Sequence, residues 1–189
     1  MSDVFFSSDT HFCHNQPFLY EPRGFQSVEE MNEAIIERWN KVVKPDDVVY
    51  HLGDVMLNDN VKGIECFRRL NGQIFIIWGN HCTDTRKNLL FTDEHIRHKI
   101  MGGWYASMIK YGKFSFYLSH YPTLTANYDD KHFNQHVINL HGHTHQQTNF
   151  LNQSNPFMYH VGLDSHNCEP VHIDDIIKEI REEWKKLNT

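Results

Sequence analysis

Five short segments of this chain carry side chains able to hold a metal ion or move a proton. They are Asp9-Thr10-His11, Gly53-Asp54, Gly79-Asn80-His81, His120, and Gly142-His143-Thr144-His145. Together they offer two carboxylates, one amide and five imidazoles, with no thiolate among them. Nitrogen and oxygen donors suit Mn²⁺, Fe, Ni²⁺, Co²⁺ or Zn²⁺ better than a structural zinc, which favours paired thiolates. The set is too large for one four-coordinate ion. It suits two ions sharing a carboxylate, the arrangement used for in-line displacement at phosphorus. Histidine is also abundant overall, at 15 of 189 residues, and it is both the commonest metal ligand and the side chain that titrates near neutral pH. Taken singly, each of these residues reads as a turn cap or a surface polar group. Taken as an ordered set, they do not.

The elements that must position them follow from hydrophobic pattern. Val4 to Ser7 is a short apolar run ending at Ser8-Asp9, and Val48 to Leu52 is another, stopped by Gly53-Asp54. Ile74 to Trp78 is continuously apolar, as a strand buried on both faces requires, and ends at Gly79-Asn80-His81. Further strands are predicted over Phe114–Leu118, ending at Ser119-His120, over Val137–Leu140, ending at His141-Gly142-His143, and over Met158–Val161. Each of the five metal-ligand blocks therefore begins where a strand stops, and sites in open α/β sheets gather at the carboxyl ends of strands. Between the strands, Ser27-Val28-Glu29-Glu30 reads as a capping box, opening a helix with Val28, Met31, Ile35, Trp39 and Val42 on one face, ended by Lys44-Pro45. A second helix is predicted over Val61–Leu70, closed by Asn71-Gly72, and a terminal one over Ile173–Leu187 with an Ile173, Ile176, Ile177, Ile180, Trp184, Leu187 stripe. The terminal stripe is expected to be core, with a dimer contact as the lesser reading. Residues 82–103 give no clear pattern. Alternating strands and helices argue an α/β fold.

Composition narrows the function classes. A chain of 189 residues, 40% hydrophobic with thirteen Phe, fits one ordinary domain. No run is long enough to span a membrane, and the acidic N-terminal stretch does not read as a secretory signal, so a cytoplasmic protein is expected. Cys13, Cys66, Cys82 and Cys168 are scattered and read as reduced thiols. The formal net charge of −6 argues against a long nucleic-acid footprint. The basic clusters Arg68-Arg69, Arg86-Lys87 and Arg97-His98-Lys99 read as solvated surface.

The ordered blocks Asp9-x-His11, Gly53-Asp54, Gly79-Asn80-His81, His120 and Gly142-His143-x-His145 resemble the calcineurin-like metallophosphoesterase superfamily, in that family's order and over most of the chain. The resemblance implies a single domain over residues 1–189 with a four-layer α/β/β/α sandwich. It implies two divalent ions, with Mn²⁺ expected and Ni²⁺, Fe, Co²⁺, Zn²⁺ or Mg²⁺ as alternatives. Asp9, His11 and His145 would hold the first, Asn80, His120 and His143 the second, and Asp54 would bridge. His81 would be the general acid, standing near the leaving-group oxygen. The activity implied is hydrolysis of a phosphodiester, or a phosphomonoester, of a small nucleotide-like substrate. Alternatives are a nuclease acting on single-stranded or short nucleic acid and a catalytically silent metal-binding module. A monomer or a homodimer fits.

Two departures from the family pattern bear on this. Cys82 stands after Gly79-Asn80-His81, where an acidic residue is frequent. The run Gly53-Asp54-Val55-Met56-Leu57-Asn58 also lacks the Asp that orients the catalytic His in the protein Ser/Thr phosphatases of the superfamily; Asn58 or Asp59 could substitute. This points to the small stand-alone phosphodiesterase-like branch. Outside the blocks, His14 and Arg23 are candidate substrate contacts, Arg23 through its planar fork. His51 and His141 fall within strands and read as supporting residues, while His95, His98, His132, His136, His160 and His172 read as structural or surface.

Overall fold

The computed structural model describes residues 2–188. β1 (Val4–Ser7) leads into a long loop that holds α1 (Pro17–Tyr20), a single turn begun by Pro17. α2 (Val28–Val42) starts where the Ser27 hydroxyl accepts the Glu30 N–H. The carboxylate of Glu30 reaches back to the N–H of Gln26, one residue before the cap. Met31, Ile35 and Trp39 are fully buried on the inner face of α2. β2 (Val48–His51) follows, then α3 (Asn60–Arg68), whose cap is Asp59, accepting from the N–H groups of Val61 and Lys62. β3 (Gln73–Ile77) precedes α4 (Asp84–Thr92) and β4 (Ile100–Trp104).

The second half is mostly strand. β5 (Ala106–Tyr111), β6 (Phe114–Ser119), β7 (Val137–His141), β8 (Phe150–Asn152) and β9 (Asn155–His160) make one sheet in the order β5-β6-β7-β9-β8. The first sheet has the order β10-β1-β2-β3-β4, with β10 (Val171–His172) added at its edge just before α5 (Ile173–Leu187). β1 to β4 pair in parallel, as do β6, β7 and β9, while β5, β8 and β10 are antiparallel edge strands. Parallel pairing is what brings the ends of β1, β2 and β3 to one edge and those of β6, β7 and β9 to another.

Alternation decides the layers. Phe5, Val49, Ile74 and Ile76 face α2 and α3, whereas Phe6, Leu52 and Ile77 point the other way and join Phe116, Leu118, Ile138, Leu140 and Tyr159 of the second sheet. Two sheets thus pack face to face between helices, as in the α/β/β/α sandwich. α5 packs against β9, β10 and β1, and its Ile173, Ile176, Ile177 and Ile180 join the apolar core that the two sheets share. No helix of the described residues is long and apolar enough to cross a membrane.

Residues 82–103 hold α4 and β4. In β4, Ile100 is the one buried residue and two of its five residues are Gly, so no apolar run betrays it. Lys99 departs from the expectation of a solvated basic cluster. It is buried, and its ammonium donates to the carbonyls of Phe67, Arg68 and Leu70. It therefore closes the C-terminal end of α3, where four carbonyls lack helical partners.

Candidate metal centre

The loops after β1 and β2 are zipped together by backbone hydrogen bonds. Asp9 N–H donates to the Gly53 carbonyl at 2.9 Å, His11 N–H to that of Asp54 at 3.0 Å, and Phe12 N–H to that of Val55 at 3.0 Å. Within these loops and the one after β7, Asp9, His11, Asp54, His143 and His145 all have φ between 46° and 68°. Non-glycine residues seldom occupy that region, and each costs about 1–3 kcal/mol unless its surroundings hold it there. Such strain gathers at functional sites. The glycines beside them leave room for carboxylates. A Cβ on Gly79 would lie 2.2 Å from Oδ1 of Asp54, and one on Gly142 2.3 Å from Oδ2 of Asp9.

The side chains converge. Asp9 is wholly buried, with Oδ2 accepting the His143 N–H and Oδ1 lying 3.7 Å from Nε2 of His11 and 3.8 Å from Nε2 of His145. Asp54 accepts the His81 N–H at Oδ1, and its Oδ2 lies 3.3 Å from Nε2 of His120 and 3.9 Å from Nε2 of His11. Oδ1 of Asn80 is 2.8 Å from Nε2 of His120 and 3.0 Å from Nδ1 of His143. Two groups bring ligand atoms within 4.8 Å of one another, Asp9 with His11 and His145, and Asp9 with Asp54 and His120. Asp9 is common to both groups, and Oδ2 of Asp54 faces both His11 and His120. All seven residues singled out as ligands from the sequence are thus in one place.

The donor chemistry fits a cation. Among the described residues, Oδ1 of Asp9 and both ring nitrogens of His11 are buried without any hydrogen-bond partner. Such groups are rare in folded proteins unless something unseen satisfies them. The rings of His120 and His145 are aimed by their far nitrogens. Nδ1 of His120 lies 2.8 Å from the Leu52 carbonyl, which can only accept, so Nδ1 carries the proton and Nε2 presents a lone pair. Nδ1 of His145 likewise faces Oδ2 of Asp164 at 3.0 Å. A carboxylate behind a ligating imidazole orients it and raises its basicity.

Protonation follows the same geometry. Burial would raise the pKa of Asp9, but His11, His145 and His120 outweigh it and hold the carboxyl well below the usual range. Burial pulls His11 down against the pull of Asp9. Burial also opposes charge on His145 and His120, yet Asp164 raises the first and Asp54 the second.

Asp164 is the residue the sequence reading missed. It follows β9 as Gly162-Leu163-Asp164, the same strand-then-polar pattern as the other blocks, and that position was its only signal. Arg23 needs a correction. Its side chain is 0% exposed, and it donates from Nε and one Nη to the two carboxylate oxygens of Asp164, and from that Nη to the Asp9 carbonyl. With its fork turned inward it has no free edge for a substrate phosphate. It braces the loops after β1 and β9 instead.

His81 lines a cleft beside the centre, its ring 5.6 Å from that of His11. Among the described residues no group hydrogen-bonds that ring. Asp59, weighed as its orienting partner, is committed to capping α3. His14 lies on the same cleft, 5.3 Å from His11. Cys82 is buried beneath the centre, its sulfur accepting the Gly79 N–H at 3.3 Å and standing 3.9 Å from Oδ1 of Asp54. His51 and His141 are buried supports within β2 and β7.

Residues 3–159 match the calcineurin-like phosphoesterase superfamily domain. The chain belongs to the calcineurin-like phosphoesterase superfamily. This calcineurin-like phosphoesterase is 33% identical to the uncharacterized protein MJ1445 of Methanocaldococcus jannaschii, over 100% of its own length and 97% of the relative's. It is 26% identical to the Gene 66 protein of Mycobacterium phage D29, over 96% and 99% of the two chains. Among solved structures, the protein of unknown function AQ665 from Aquifex aeolicus superposes with a TM-score of 0.67 at 22% identity, covering 95% of this chain and 100% of that one. That last likeness supports the fold.

Proposed function

We propose that this phosphoesterase hydrolyses a phosphodiester, in preference to a monoester, of a small nucleotide-like substrate, with two divalent ions as its cofactors. The observation that carries the reading is the buried cluster of unpartnered donors, Asp9 Oδ1 and the His11 ring, beside the two aimed imidazoles of His120 and His145. Asp9, His11 and His145 would hold one ion, His120, His143 and Asn80 the other, with Asp54 between them. When bound, the pair supplies Lewis acidity and a nucleophilic water at neutral pH; Mn²⁺ is the expected metal.

The chain's own residues do the rest. The Asp54 and Asp9 carboxylates, held low in pKa, stay ionised at neutral pH. Asp164 and the Leu52 carbonyl keep His145 and His120 in the tautomer that presents Nε2. His81, partly exposed on the cleft, is placed to donate a proton to a departing alkoxide. Its backbone is held by Asp54, which accepts the His81 N–H, and by Arg86, which donates to the His81 carbonyl.

The test is an assay of metal-stripped protein on bis-p-nitrophenyl phosphate and p-nitrophenyl phosphate, with Mn²⁺, Ni²⁺, Mg²⁺ or Zn²⁺ restored in turn. Turnover returning with metal, and kcat falling about 10²–10⁴-fold in His81→Ala at unchanged metal content, is expected. Turnover indifferent to chelation would overturn the reading.

A further inference from the structure

A cleft of about 420 Å³ opens beside the metal-binding side chains. Phe18, Leu19, Pro22 and Leu57 line it together with polar residues that include His11, His81, Gln147 and Asp164. Its size suits a small organic group, and its composition, an apolar wall with few polar atoms, is that of a recognition pocket. A phosphate alone needs no apolar wall. We infer that this cleft is a nucleobase subsite on the leaving-group side of the centre, with Phe18 as the stacking residue that sets specificity; this rests on the phosphoesterase reading above.

Phe18 is 69% exposed, and a single exposed aromatic would ordinarily need no explanation. This one is held in place at the wall of a cleft. Pro17 opens the α1 turn, the Leu19 N–H donates to the Gln16 carbonyl, and the Leu19 side chain is buried beneath. The His14 ring meets Phe18 edge-on at 5.6 Å and 84°. Nδ1 of His14 is buried without a partner. Gln147 supplies an amide, which both donates and accepts, as the edges of nucleobases do. An alkyl chain would leave the buried Nδ1 of His14 unpaired, and unpaired buried polar groups are costly. A planar base could stack on Phe18 and use both Gln147 and His14.

Two five-membered cyclic phosphodiesters separate the base from the chemistry. Adenosine 2′,3′-cyclic phosphate carries it; glycerol 1,2-cyclic phosphate does not. The ratio of their kcat/KM values, nucleotide over glycerol, should fall about tenfold to a hundredfold in Phe18→Ala, by the worth of one base-aromatic stack, and recover in Phe18→Trp. The change should lie mainly in KM. Adenosine, which has no phosphate to reach the metal residues, should bind the metal-free wild-type protein in ligand-observed NMR and not the Phe18→Ala variant. An unchanged ratio, or adenosine binding that ignores the substitution, would overturn the inference. If the wild type hydrolyses neither ester with any divalent metal, the phosphoesterase reading fails, and adenosine binding then decides the subsite by itself.

Discussion

The Asp164 carboxylate stands directly behind the His145 ring, its Oδ2 3.0 Å from Nδ1, and so determines that Nε2 faces Asp9. Replacing Asp164 with Asn keeps the shape but removes the charge that anchors the imidazole. Metal affinity should fall about 10–100-fold, as for other residues that orient a ligand from behind. Isothermal titration of stripped protein with Mn²⁺ measures this directly. Equal affinities in variant and wild type would mean that His145 is oriented by something else.

Arg23 and Asp164 form a buried pair. Arg23→Met would leave the carboxylate of Asp164 buried with His145 as its only charged partner, and should destabilise the metal-free protein by about 3–5 kcal/mol. Urea unfolding in chelator reads this. A substrate-gripping Arg would behave otherwise, raising KM while leaving the unfolding midpoint where it was.

His51 lies fully buried, with Nδ1 accepting the Gly53 N–H at 3.3 Å and Nε2 3.1 Å from the Thr10 hydroxyl. Burial, against the pull of Asp9 and Asp54, drops its pKa to about 4. At pH 7 the ring is neutral in folded and unfolded chains alike. Below pH about 6.5 the unfolded chain takes up the proton first, so stability is lost progressively down to the folded value. The difference corresponds to about 3 kcal/mol. The urea midpoint of stripped protein should therefore fall between pH 7 and pH 5, with a shallower fall in His51→Gln. A fall as steep in His51→Gln as in the wild type would contradict a neutral buried His51.

Gly142 has no space for a side chain. A Cβ there would lie 2.0 Å from the Ser8 hydroxyl and 2.3 Å from Oδ2 of Asp9. Gly142→Ala should cost about 1–3 kcal/mol through overpacking, and the displaced Asp9 should weaken metal binding. Thermal unfolding with and without Mn²⁺ checks both, since the stabilisation added by metal should shrink.

Much of the fold was legible locally. The strands before Asp9, Asp54, Asn80, His120 and His143 are short apolar runs stopped by Gly or a polar residue, and the burial that makes them strands is written in consecutive side chains. α2 and α5 announce themselves by helical period and, for α2, by Ser27. β4, with two Gly, and α1, a single proline-led turn, carry too few buried residues to leave a pattern. Lys99 misled because a basic residue beside Arg97 and His98 looks solvated, and only the approach of the α3 carbonyls makes it a buried cap.

By itself the sequence determined the donor types, their order and their attachment to strand ends, because strand periodicity and ligand chemistry are properties of neighbouring residues. The tertiary structure decided which lone pairs meet, that Asp164 aims His145, and that Arg23 turns inward rather than toward substrate. Those facts depend on distances through space between residues as far as 141 positions apart, and no local pattern encodes such a distance.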